Sequence, residues 1–117
     1  MKKFNELTSN AKEVKKEERI NFLNKLEDSV REIHSTINQE IAKGNLSKLC
    51  NLNDSFCWAE YLDVYLDNYR NENNISYDLT NYEVVEMLKD NEFIELIKTI
   101  KECIEQETDE YKNLFEE

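Results

Sequence analysis

Proline is absent from this chain, and among 117 residues glycine occurs once, at Gly44. Average usage at this length would supply roughly six prolines and eight glycines. Both residues punctuate local structure, so their scarcity excludes a fold rich in sharp turns and leaves long helices. One glycine also excludes the glycine-rich loops that let a backbone approach phosphate, and no Asp-x-Asp-x-Asp-Gly pattern offers a calcium loop. Apolar runs are only a few residues long, far short of a membrane span. The opening MKKFNELTSN has lysines but no apolar stretch behind them, which argues against a secretory signal.

Cysteine and histidine are equally sparse. Cys50, Cys57 and Cys103 form an odd set without a C-x-x-C pair, which reads as free thiols in a reducing cytoplasm. The Asn-x-Ser triplets at Asn45, Asn53 and Asn74 then carry no glycosylation meaning. A zinc site built from His34 and the three cysteines would lack the usual close ligand pairs. A di-iron bundle needs a glutamate three residues before each histidine, where His34 has Arg31, and no second histidine exists. His34 therefore reads as a packed or half-exposed side chain. No catalytic residue, metal site or cofactor is expected, and the chain is not read as an enzyme.

What the sequence does contain is helical periodicity. Leu23, Leu26, Val30, Ile33, Ile37 and Ile41 fall within a stripe about 80° wide at 100° per residue. Lys43 and Gly44 supply the stop, with Gly44 expected in a left-handed cap. Upstream, Phe4, Leu7, Ala11 and Val14 repeat helically on a stripe rotated by roughly 100°. A continuous helix from Lys2 to Lys43 would reach about 63 Å, so a break near Lys15–Arg19 or a protruding arm is expected. Leu46, Leu49 and Leu52 then lead to Asn53-Asp54-Ser55, good N-cap chemistry. The next helix is expected to run to about Tyr69, with Trp58, Ala59, Leu62, Tyr65, Leu66 and Tyr69 inward. Asn71–Asn74 reads as a loop, and Thr80-Asn-Tyr-Glu83 as a capping box followed by Val84, Val85 and Leu88. Asp90-Asn91 is a candidate interruption, because both residues favour caps. Phe93, Ile97, Ile100, Ile104, Tyr111 and Phe115 form the inward face of the last helix. Together these predict an all-α fold: one domain over residues 1–117, a small antiparallel bundle of four to five helices with no sheet.

Charge is the remaining signal. The chain carries a formal −11, unevenly placed. Residues 1–44 hold nine Lys/Arg and eight Asp/Glu; residues 45–91 and 92–117 each hold three and nine. Glu95, Glu102, Asp109 and Glu116 recur every seven residues, a stripe about 31 Å long on one helix face. Glu60, Asp63 and Asp67 form a shorter acidic face, and Tyr61, off its helix's main apolar stripe, has two readings: packing against a neighbouring helix in a wide core, which is favoured, or exposure beside that face. One reading makes these faces solvated surface, partly balanced by Lys98, Lys101 and Lys112. The other makes Glu60, Tyr61, Asp63, Asp67, Glu95, Glu102, Asp109 and Glu116 a binding surface for a basic protein, since such a field steers and selects positive partners. Direct nucleic-acid binding is disfavoured, because affinity there depends on Lys and Arg. Lys12, Lys15, Lys16 and Arg19 are the only basic cluster, diluted by three glutamates.

In size, charge and helicity the chain is similar to phage-encoded counter-defence proteins, anti-CRISPRs among them, and to acidic immunity proteins that neutralise nucleases. That similarity implies a cytoplasmic inhibitor that blocks a basic, nucleic-acid-handling protein by steric and electrostatic means, as a nucleic-acid mimic. The alternative is a helical structural or oligomerisation module, pairing through the Leu23–Ile41 stripe as a homodimer. A strict seven-residue register fails at Glu40 and resumes at Ile41, which fits a bundle helix better.

Overall fold

A computed structural model describes the backbone of residues 2–44 and 58–116, and the side chains of residues 3–36, 39 and 58–107. Among the described residues there are five α-helices and no strand. They are α1 (Lys2–Ser9), α2 (Arg19–Gly44), α3 (Trp58–Asn73), α4 (Asn81–Met87) and α5 (Asp90–Glu116). The all-α helical bundle expected from the composition is the observed fold.

The two apolar stripes of the first 43 residues belong to separate helices. Between α1 and α2 the chain makes two short 3-10 turns, Ala11–Glu13 and Lys16–Glu18, with Val14 and Lys15 extended between them. Phe4 and Ala11 are thereby turned into the same core as Leu23, Leu26, Val30 and Ile33, with α1 lying on α2 and the first 3-10 turn on α5. Those four α2 side chains are inside the single-chain core rather than on an open seam. Ile37 and Ile41 lie outside the described side chains. Gly44 is the last described residue of α2, and no glycine among the described residues has a positive φ, so Gly44 is helical rather than the left-handed cap foreseen there. The N-cap foreseen at Asn53–Ser55 lies outside the described residues.

Helix α3 is longer than its apolar pattern suggests. Residues 71–73, foreseen as loop, form its last turn, and the stop is Asn74, with φ of 53°. The Ile75 amide reaches back to the Arg70 carbonyl at 3.0 Å, the long bond of a Schellman cap, while Ile75 packs on the core. Asparagine replaces glycine there because its short polar side chain tolerates the left-handed region.

Thr80 caps α4: its Oγ1 accepts from the Glu83 amide at 3.2 Å and donates to the Glu83 carboxylate at 3.1 Å. The interruption anticipated at Asp90-Asn91 falls just before it, at Leu88 and Lys89, and Asp90 opens α5. At that start the Glu92 carboxylate accepts from the Lys89 amide at 2.8 Å, the glutamate half of a capping box without a Ser or Thr partner.

Helix α5 is the spine. It packs most extensively on α3 and also touches α1 and the first 3-10 turn, while α1 lies on α2, and α4 bridges α2 and α3. Phe93, Ile97, Ile100 and Ile104 face inward as their spacing predicts, joined by Leu96. Tyr111 and Phe115 lie outside the described side chains. Phe22 meets Phe93 edge to face, with ring centroids 6.0 Å apart.

Two arginines complete the core. Arg19, grouped with surface lysines by sequence, is 1% exposed. Its guanidinium donates to the Val85 carbonyl at 3.1 Å, the Leu88 carbonyl at 2.7 Å and the Asp90 carboxylate at 3.0 Å, and lies over the Phe93 ring. It thus supplies the Leu88 carbonyl with a donor, adds a second to the Val85 carbonyl that the Leu88 amide already reaches, and ties the end of α4 to the start of α5. Arg70 is buried likewise, donating to Asp67, to the Leu79 carbonyl and to Asn81 beneath the Tyr77 ring.

Candidate functional site

The acidic residues singled out by sequence separate into three kinds. Glu60, Glu95 and Glu102 are exposed, and no described side chain pairs with them. Asp63 and Asp67 are half-buried and occupied: Asp63 accepts from Asn81 at 3.0 Å, and Asp67 from Arg70 at 3.2 Å. Both carboxylates hold the α3–α4 corner together. Asp109 and Glu116 lie outside the described side chains.

Tyr61 takes the packed of its two readings, which removes it from the candidate binding surface. It is 4% exposed, not a surface residue. It sits where α2, α3 and α5 meet, its hydroxyl donating to Glu107 at 2.6 Å and lying 3.2 Å from the His34 ring nitrogen. Because the hydroxyl proton is directed at Glu107, His34 is the donor in the second contact, which makes Nε2 its protonated nitrogen. Half-buried His34 has its pKa lowered by desolvation. A third helix covers the flank off the main stripe, as the packed reading requires.

One and two turns further along α3 lie Tyr65 and Tyr69, both half-buried. The Tyr65 phenol is pushed above its usual pKa by burial, then by the negative charges of Glu95, Glu92 and Glu72. Burial and Glu92 act on Tyr69 in the same direction. Glu72 from α3 and Glu92 and Glu95 from α5 therefore lie within electrostatic reach of one tyrosine-lined seam. Glu92 and Glu72 were not foreseen as site residues, although Glu92 sits three positions before Glu95 on the same helical face. Glu102 is farther along α5, where burial, Glu107 and Glu102 raise the pKa of the free, half-buried Cys103 thiol. Glu60 belongs to neither group.

Chemically, this surface can pair with cations. Among the described residues no group of three or more His, Cys, Asp or Glu is placed to hold a metal ion, and no helix is long and apolar enough to cross a membrane. Comparison with protein families, curated proteins and solved structures gives no match. The functional argument therefore comes from the chain's own surface.

Proposed function

We propose that this chain is a small acidic binding protein, working in the cytoplasm, that occludes a basic surface of another protein. Its most fitting partner handles nucleic acid, because such proteins display the Lys and Arg that hold phosphates. The observation that carries this reading is the set of exposed carboxylates without ion-pair partners among the described residues, Glu95 and Glu102 on α5 and Glu60 on α3, in a chain of net charge −11. Unpaired surface carboxylates repel one another within the chain, and they accelerate and select encounter with a positive surface. Tyr65 and Tyr69 offer the amphipathic rings on which interface affinity concentrates, with the carboxylates setting association rate and salt sensitivity. Asp63 and Asp67 act indirectly, by fixing the α3–α4 corner.

Capture experiments with the tagged chain from nuclease-treated bacterial lysate, eluted across a salt series, test this. Retention of a basic nucleic-acid-handling protein, released by salt or by competing DNA, is the expected result. The triple reversal E60K/E95K/E102K should abolish that retention while leaving the far-UV circular dichroism unchanged. A folded triple variant that retains the same protein equally well would overturn the reading. Recovery of the bait alone would favour a structural module with a merely solvated acidic face.

A further inference from the structure

The largest departure from the acidic surface is a shallow groove of about 260 Å³ where α1 and the first 3-10 turn lie against α5. Ala11 and Ile97 are its buried floor, Ile94 is 39% exposed at its edge, and its charged residues are Lys12, Lys98 and Lys101. No carboxylate lines it, in a chain with 26 Asp/Glu against 15 Lys/Arg. Lys12 and Lys98 are exposed and pair with no described residue, and Lys101 meets only Glu105, at 3.9 Å. Like charges three positions apart on a helix repel, and Lys12 brings a third to the same place. The hydroxyls of Thr8 and Ser9, also on the lining, already donate to backbone carbonyls of α1. The donors left to meet a ligand are therefore the unpaired ammonium groups of Lys12 and Lys98, with that of Lys101 shared with Glu105.

We propose that this groove binds a small organic phosphate, with the phosphoryl group among Lys12, Lys98 and Lys101 and the apolar body against Ile94. A phosphomonoester carries close to two negative charges at pH 7 and three terminal oxygens, so each lysine can take one. A single carboxylate matches neither count. The volume lies just below the usual range for drug-sized ligands, which limits the occupant to a small molecule. A second copy of the chain is a poor occupant, because two molecules each of charge −11 repel at long range. This assignment is independent of the occlusion reading.

Titration of the isotopically labelled full chain at low ionic strength, followed by amide chemical shifts, tests it. Phenyl phosphate should give saturable shifts confined to residues 8–12 and 94–101, inorganic phosphate weaker ones at the same places, and benzyl alcohol or benzoate little. Affinity for phenyl phosphate should fall as pH drops through about 6, where the dianion takes up a proton. The double variant K12Q/K98Q, altered only at exposed positions, should keep its helicity and bind about five- to tenfold more weakly. Absence of saturable shifts, equal shifts around Lys25 on α2, equal binding of benzoate, or unchanged affinity in the folded double variant would each overturn the assignment.

Discussion

The two buried arginines show what a single residue contributes here. Sequence periodicity counts arginine as polar, so Arg19 reads as part of a basic cluster and Arg70 draws no notice. Both are instead donors turned inward at places where helices stop and carbonyls are left open. Each keeps one buried Nε–H without a partner, an expense partly offset by stacking over Phe93 or Tyr77. Replacing Arg19 by alanine strips the Leu88 carbonyl of its donor, leaves the Val85 carbonyl with the Leu88 amide alone, and empties a large core site, so R19A should lose about 3 kcal/mol in urea denaturation. Asp90 has a side chain that is 93% exposed, so D90N should lose less than about 1 kcal/mol. Equal losses from the two variants would mean that the ion pair, not the carbonyl contacts, carries the effect. The same inward logic explains Tyr61, Asp63 and Asp67. Exposure of Glu60, Glu95 and Glu102 follows from helical position alone, whereas the occupation of Asp63 and Asp67 depends on α4 returning against α3.

At the scale of elements, the signals that proved legible are those with a local cause. The narrow stripe of α2 and the capping box at Thr80 are of this kind, because a helix face and a cap are decided by residues within one or two turns. The rotated stripes before α2 announced a break, but its form, two 3-10 turns around an extended Val14-Lys15, depends on α1 reaching both α2 and α5. The end of α3 was missed because Asn71 and Asn73 are weak helix formers, held in the helix by the burial of Tyr69 and Arg70 beside them. Asn74 is the residue that finally stops the helix, and its left-handed φ makes it testable. N74A should cost about 1 kcal/mol, since a Cβ without a compensating polar group is penalised there, while N74G should be neutral or slightly stabilising. Thermal unfolding of both variants decides the point. Equal destabilisation by both would show that the Asn74 side chain, not the backbone geometry, holds the corner.

Across the whole molecule, charge rather than shape dominates, and α5 displays both signs. Glu92, Glu95 and Glu102 lie along one side, while Lys98 and Lys101 turn toward the groove beside Ala11. The described ion pairs are few and mostly local: Arg31 with Glu27, Arg70 with Asp67, and Lys101 with Glu105 lie within one helical turn. Such pairs contribute at most about 1 kcal/mol each at the surface, too little to cancel the repulsion of a net −11. Raising the ionic strength from about 0.01 M to 0.15 M shortens the Debye length from about 30 Å to about 8 Å, which screens long-range repulsion but leaves hydrogen-bonded pairs largely in place. The melting temperature should therefore rise over that range in a neutral salt, whereas retention of a basic partner should fall over the same range. Thermal scans and elution profiles in matched buffers measure the two slopes. Opposite signs are expected if one set of unpaired carboxylates strains the free chain and attracts its partner. A melting temperature that falls with salt would place the electrostatic weight on the local pairs and remove the argument that the excess charge is held in reserve for binding.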